Sequence, residues 1–211
     1  MKKARQERIL YSLDKLGFLT RTHLQELHDL KSCRNTSRVM KDLGEYVLMK
    51  RHYERNGEAV YYLNQKGREL IGSEKEWKWS EHIEHHLMRN DMYLYCRQPS
   101  DWQVEQPVKF KVQERNGRGG LSYKEKVLIP DATFTKDSIY HFVEVDRKQT
   151  MKENKKKVQL YQELMDIMIT QFGHKPVVIF YTHTLTRKQQ LLDWCQAVHL
   201  PCLVYTKEDL Y

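Results

Sequence analysis

Three carboxylates and a lysine occupy positions where two predicted strands could bring them together. Asp131 follows Pro130, and Glu144, Asp146 and Lys148 lie at alternate positions further along the chain. Residues two apart on a strand share a face, so the last three would point the same way. Carboxylates inside an apolar sheet are costly unless a divalent cation or a basic partner neutralises them. The pattern therefore predicts either a Mg²⁺ site or an internal ion-pair network.

A Mg²⁺ site of this kind could hydrolyse a phosphodiester. Asp131, Glu144 and Asp146 would hold one or two Mg²⁺ ions, which activate water and neutralise the scissile phosphate. Lys148 or Arg147 would then stabilise the developing charge. In the alternative interpretation Arg147 pairs with the carboxylates, and the cluster is structural.

A second group of candidate residues is basic and lies near the start of the chain. The first 41 residues contain ten Lys or Arg and four Asp or Glu, and long cations are the side chains that contact phosphates. Arg and Asn can also form paired hydrogen bonds with base edges. The alternative is an ordinary solvated face on a domain that binds protein. The predicted DNA-binding residues are Arg34, Asn35, Thr36, Arg38, Lys41, Lys50, Arg51 and Arg55.

Short helices and a hairpin are predicted to position these basic residues. The helices are predicted from apolar residues at helical spacing, and their ends from Thr at a start and Gly at an end. The Asn56-Gly57 pair is a strong hairpin-turn signal. The predicted elements are a helix ending at Gly17, a helix after Thr20, a helix over 32–45, strands over 47–49 and 59–63, and a helix from Asn64.

The rest of the chain alternates between strands and helices and is predicted to form a second domain. The seam is expected between residues 73 and 77, which gives domains over 1–73 and 77–211. Alternation of apolar and polar residues, or a continuous apolar run, marks the strands. The predicted elements are helices over 77–96, 152–172 and 185–198, strands over 103–112, 127–134, 138–146, 176–181 and 202–205, and a flexible loop over 113–126.

The order of three helices, a hairpin with a charged tip and a further helix resembles a winged helix-turn-helix domain. Its sharpest local match is the stretch Tyr61 to Leu70, which looks like a wing-exit strand and the turn after it. The resemblance implies that the third helix enters the major groove and that the hairpin lies on the DNA backbone or minor groove.

The second domain resembles the PD-(D/E)XK nuclease superfamily, whose motif is Pro-Asp followed by acid-x-Lys on the next strand. With Glu144 as the acid, Asp146 stands where the motif has lysine; with Asp146 as the acid, Lys148 completes the motif. The implied fold class is α/β, or α+β overall, with a winged helix-turn-helix followed by a restriction-endonuclease-like α-β-β-β-α-β core.

The two domains together resemble the replication-relaxation family of plasmids and related mobile elements. The resemblance implies a DNA-binding protein of DNA replication or its control. From the mismatched lysine position, we expect the nuclease-like domain not to be a competent nuclease. One alternative is a Mg²⁺-dependent endonuclease that nicks or cleaves DNA. Another is a winged-helix transcriptional repressor with a dimerising C-terminal domain. The expected partners are double-stranded DNA, a second copy of the chain and replication proteins; DNA binding would need no cofactor, and cleavage would need Mg²⁺.

Composition excludes several other classes. The chain has 211 residues, a formal net charge of +8 and 40% hydrophobic residues, which is typical of a folded basic protein. No apolar window is long enough for a membrane span, and no apolar segment follows the basic start, so a cytoplasmic location is expected. The four cysteines lack the paired spacing of zinc sites.

Overall fold

The computed structural model describes residues 2–115 and 121–210 and has a mixed α/β fold, as predicted. Its contacts divide the chain into two compact units, Met1–Leu94 and Tyr95–Tyr211. The sequence-based division at 73–77 lies earlier. The helix over Ile83–Tyr95 accounts for the difference, because its contacts assign nearly all of it to the first unit. In the described part of the chain, no helix is long and apolar enough to cross a membrane.

The first unit combines short helices with a three-stranded antiparallel sheet. The strand order is β1-β3-β2, so β2 is an edge strand. The elements are α1 (Lys2–Leu16), β1 (Leu19–Thr20), α2 (Arg21–Leu27), α3 (Cys33–Asp42), β2 (Val47–His52), β3 (Glu58–Leu63), α4 (Gln65–Ile71) and α5 (Ile83–Tyr95). The predicted helix over 77–96 therefore begins only at Ile83.

Polar caps and glycines define several helix ends of this unit. Thr20 Oγ1 accepts a hydrogen bond from His23 N at 3.1 Å, which confirms the predicted start of α2. Gly17 follows α1 with φ of 79°, and a Cβ there would lie 2.7 Å from Cδ2 of Trp77. Only glycine fits this position, because it combines a left-handed backbone with close contact to an indole ring.

The hairpin formed by β2 and β3 is longer than predicted and has a structured tip. Its pairing runs from Val47 opposite Leu63 to His52 opposite Glu58. A 3₁₀ turn, Tyr53–Arg55, precedes the left-handed residues Asn56 and Gly57. The Asn-Gly pair therefore completes a five-residue connection instead of forming a two-residue turn.

The second unit is built on a five-stranded mixed sheet with the strand order β10-β9-β8-β7-β4. Strands β8, β9 and β10 are parallel, whereas β4, β7 and β8 pair antiparallel. A separate antiparallel hairpin consists of β5 and β6. The elements are β4 (Gln103–Val104), β5 (Val108–Arg115), β6 (Leu121–Leu128), β7 (Ala132–Lys136), β8 (Ile139–Asp146), α6 (Met151–Phe172), β9 (Val177–Thr182), α7 (Leu185–Ala197), β10 (Cys202–Tyr205) and α8 (Lys207–Leu210).

Three predictions for this unit were wrong in detail. The predicted strand over 103–112 is two strands, and the one over 127–134 combines the end of β6 with the start of β7, which belong to different sheets. Much of the predicted loop over 113–126 is strand. Its charged residues conceal the strand pattern because they pair with residues outside it, as in the Lys109–Glu125 and Lys126–Glu163 ion pairs. Its glycines at 117, 119 and 120 lie outside the described residues.

The helices α6 and α7 contribute to the main apolar core of this unit. Phe142 of β8 contacts the ring of Tyr161 of α6 with centroids 5.3 Å apart, and both side chains are fully buried. Alternate residues of a strand share a face, so Glu144 and Asp146 lie on the same face as Phe142. The two carboxylates are therefore directed towards α6 and α7.

Candidate functional site

The exposed face of α3 carries a row of cations. Val39 and Met40 are buried, whereas Arg34, Arg38 and Lys41 are exposed. Positions 34, 38 and 41 lie one turn apart along a helix, and Ser37 lies on the same face. These side chains are available to a phosphate backbone or a base edge.

Two other predicted residues of this helix lie differently. Thr36 is fully buried, and its hydroxyl donates to the Ser32 carbonyl at 3.0 Å. The prediction that it faces DNA is therefore wrong, because position 36 falls on the same stripe as Val39 and Met40. Asn35 is half-buried; its amide donates to the Leu30 carbonyl at 2.8 Å, and its Oδ1 accepts from Arg38 Nη2 at 3.0 Å.

The edge strand β2 presents two more of the predicted cations. Lys50 and Arg51 are exposed. Arg51 donates to the Gly57 carbonyl at 2.9 Å in an exposed hydrogen bond. The Lys50 ammonium lies 5.2 Å from the ring centroid of Trp79, within the range of a cation–π contact.

Arg55, the last predicted DNA contact, is instead bound inside the first unit. Its guanidinium donates from Nε to both Glu84 oxygens at 3.0 and 2.9 Å. It also donates from Nη1 and Nη2 to the two Asp91 oxygens at 2.9 and 2.7 Å. Its side chain is only 9% exposed. The assignment of Arg55 to the DNA surface is therefore wrong, because four hydrogen bonds hold its charge against α5.

Two histidines extend this buried network. His23 Nε2 lies 2.6 Å from Asp91 Oδ1, and His52 Nε2 lies 3.0 Å from Glu84 Oε2. The network, defined as Arg55, Glu84, Asp91, His23 and His52, connects the hairpin tip to α2 and α5. Residues 84 and 91 are seven apart on one helix, so they share a face. That spacing is a sequence signal for a shared helix face, but it does not indicate which residues bind the two carboxylates.

The electrostatics of Arg55 and Asp91 favour their charged forms. Burial would lower the pKa of Arg55, but hydrogen bonds and charges from Asp91 and Glu84 raise it above its ordinary value. Burial would raise the pKa of Asp91, but hydrogen bonds from His23 and Arg55 lower it to about 2. Both groups are therefore ionised at neutral pH, and each neutralises the other.

We expect the stability of the first unit to fall in acid. Asp91 has a pKa of about 2 when folded, against an ordinary value of 3.8. Its contribution to the free energy of unfolding is therefore complete above pH 3.8 and is lost as the pH falls towards 2. The loss should be about 2 kcal/mol. Urea unfolding at pH values from 5 to about 2, compared with Asp91→Asn, measures it. An equal acid loss in that variant would contradict the assignment to Asp91.

The predicted carboxylates of the second unit come together around β8. Asp131 lies in the connection before β7, and its Oδ2 accepts a hydrogen bond from Val145 N at 2.6 Å. The β7–β8 pairing begins at Ala132 opposite Val143. The Asp131 side chain therefore bonds to β8 just beyond the end of the backbone ladder.

Glu144 is bound by two side chains of α6. Lys157 Nζ donates to Glu144 Oε2, and the Tyr161 hydroxyl donates to Oε1 at 2.6 Å. Burial raises the pKa of Glu144, the Lys157 charge opposes the rise, and the Asp131 charge adds to it. The carboxylate is 2% exposed, so it depends on these two donors.

Asp146 is bound by α7 and β9. Arg187 donates to its two oxygens from Nε at 2.8 Å and from Nη2 at 2.6 Å, and the Thr182 hydroxyl donates at 2.7 Å. Burial would raise the pKa of Asp146, but the Arg187 hydrogen bonds lower it. Lys148, the predicted catalytic lysine, is exposed. The cations on Glu144 and Asp146 come from α6 and α7, which no local motif indicated.

These bonds do not suit a Mg²⁺ ion, which needs free carboxylate oxygens. Both oxygens of Glu144 and both of Asp146 accept bonds from protein donors, and Asp131 bonds to the backbone. Within residues 2–115 and 121–210, one group of three potential ligands lies close enough for a metal, namely His52, Glu54 and Glu84. The Arg55 guanidinium already covers both Glu84 oxygens there.

The comparisons with known proteins agree with the family resemblance. Residues 10–178 match the family described as replication-relaxation, a stretch that covers more than half of the chain and includes the α3 face and the three carboxylates around β8. No curated protein and no solved structure matches the chain. By the extent of the family match, this chain belongs to the replication-relaxation family.

Proposed function

We propose that the first unit binds duplex DNA through the exposed face of α3, and that the protein acts at a plasmid or another mobile element. Family membership links the chain to DNA replication or its control. The single observation that supports DNA binding is the row of Arg34, Arg38 and Lys41 on α3, exposed on the face opposite Val39 and Met40.

The order of elements supports this proposal. Helices α1, α2 and α3 are followed by the β2–β3 hairpin, and β1 completes the sheet. This is the order expected of a winged helix, in which the third helix enters the major groove. Lys50 and Arg51, on the hairpin stem, would contact the phosphate backbone.

The hairpin tip carries little positive charge for a DNA contact. Arg55 is withdrawn into the buried network, while Tyr53 and Glu54 are exposed. We therefore assign phosphate contacts of the hairpin to its stem. DNA binding of this kind needs no metal, and a second copy of the chain or a replication protein is a proposed partner.

Replacement of the α3 cations tests the DNA-binding proposal. We expect Arg34→Ala and Arg38→Ala each to weaken binding by about 1–3 kcal/mol where the side chain reads a base. A side chain that contacts phosphate should instead reduce the slope of log affinity against log salt by about one. Fluorescence anisotropy with plasmid fragments at several salt concentrations measures both quantities.

Lys66→Ala is the matched control, because Lys66 is an exposed cation of the same unit that lies on α4 and pairs with Glu45. It should leave the affinity and the salt slope nearly unchanged. If both arginine variants bind like Lys66→Ala, the α3 face is not the DNA surface.

The position of the bound site separates replication from transcription. Footprinting on the plasmid should show protection near the replication origin, and protection confined to a promoter would favour the repressor alternative.

We also expect no nicking of supercoiled plasmid with Mg²⁺ or Mn²⁺. Nicking that disappears in Asp131→Ala would favour the endonuclease alternative.

A further inference from the structure

The amino group of Lys157 binds Glu144, one of the three carboxylates that the sequence pattern assigned to a metal. It donates to Glu144 Oε2 from α6, one turn before Tyr161, which donates to the other Glu144 oxygen. The Lys157 side chain is 28% exposed, whereas that of Glu144 is 2% exposed. A partly exposed cation therefore binds a buried carboxylate.

All three carboxylates act on this one ammonium group. Burial would lower the pKa of Lys157, but the charges of Glu144, Asp131 and Asp146 raise it. The hydrogen bond to Glu144 and the charges of the two other carboxylates therefore both stabilise the charged form of Lys157.

The remaining hydrogen bonds supply the other donors to these carboxylates. Arg187 supplies a second positive charge at Asp146, and the Tyr161 and Thr182 hydroxyls supply neutral donors. Three carboxylates thus face two protein cations and several neutral donors. The protein satisfies the cluster from its own side chains, as a buried charge requires.

We infer that Lys157 is a built-in counter-ion that replaces a divalent cation at Glu144, so that the cluster of Asp131, Glu144 and Asp146 is metal-independent. The inference concerns the second unit only and goes beyond DNA binding by the first. Its test uses no DNA, so its failure is distinguishable from failure of the proposed function.

Mn²⁺ binding to the full chain provides the test, measured by electron paramagnetic resonance and by the melting temperature with Mn²⁺ or EDTA. The wild type should show the same Mn²⁺ binding as Asp131→Ala and no metal-dependent shift in melting temperature. Lys157→Met keeps the apolar stem and removes the charge. It should bind one Mn²⁺ at least about tenfold more tightly than the wild type, and Mn²⁺ should raise its melting temperature.

Three further variants control for nonspecific effects. Lys156→Met removes an exposed neighbouring charge and Lys157→Arg retains the charge, so neither should gain Mn²⁺ binding. Adding Asp131→Ala to Lys157→Met should abolish the gain. Stoichiometric Mn²⁺ binding by the wild type that Asp131→Ala removes would overturn the inference, even if Lys157→Met did not fold. A folded Lys157→Met without a gain in Mn²⁺ binding would also overturn it.

Discussion

Arg55→Ala is expected to destabilise the first unit by about 3–5 kcal/mol, because it leaves two buried carboxylates without their cation. Glu84 and Asp91 are 6% and 3% exposed, and each accepts two hydrogen bonds from the guanidinium. Hydrogen–deuterium exchange of the α5 amides, measured in increasing urea, reports the loss within this unit. The amides should exchange at markedly lower urea than in the wild type.

Arg51→Ala is the matched control for this variant. Arg51 lies on the same hairpin but is exposed, so its removal should change stability by no more than about 0.5 kcal/mol. If the two variants behave alike, the Arg55 bridge contributes no special stability. Arg55→Met combined with Glu84→Gln and Asp91→Asn should recover part of the loss, since no unpaired buried charge remains.

Gly67→Ala is expected to destabilise α4 by about 1–3 kcal/mol through overpacking. A Cβ at position 67 would lie 2.2 Å from the Tyr46 carbonyl oxygen, so α4 and the backbone at Tyr46 would have to separate. Helix propensity alone predicts the opposite sign, because alanine is about 1 kcal/mol better than glycine inside a helix. The sign of the change in unfolding free energy therefore separates the two effects.

Urea unfolding of Gly67→Ala, followed by hydrogen exchange of residues 65–71, measures this change. Lys66→Ala is the control on the same helix, because Lys66 is exposed and its replacement creates no clash. A gain in stability for Gly67→Ala would show that the contact with Tyr46 relaxes at little cost.

Local signals in the sequence predicted much of the first unit. The Thr20 cap, the apolar stripe of α3 and the two strands around Asn56-Gly57 were all confirmed. These features depend on residues a few positions apart, so the pattern and the chemistry are both visible in the sequence. Thr36 was misassigned although the same stripe, with Val39 and Met40 three and four residues on, would have shown that it is buried.

The second unit was harder to predict because charged residues form strands there. In the β5–β6 hairpin, Lys111 lies opposite Glu125, and Lys109 forms an ion pair with Glu125. Charged residues of one strand are therefore neutralised by the other. A strand rich in Lys and Glu resembles a loop until its partner is known. The sequence pattern identified the three carboxylates around β8, but it did not identify the side chains that bind them.

Local sequence patterns were sufficient to predict the mixed α/β class, the caps and stripes of the N-terminal helices, the cationic face of α3 and the identity of the three carboxylates. Which charges are paired follows from the folded chain alone. Arg55 meets Asp91 across 36 positions, and Arg187 meets Asp146 across 41. Ion pairing is set by distance and burial in the folded chain, which leave no periodic signal in the sequence. The same reason explains why the sequence did not show that Arg55 is buried against α5. It also explains why Lys157, the last residue of a three-lysine run, gave no sign of its contact with Glu144.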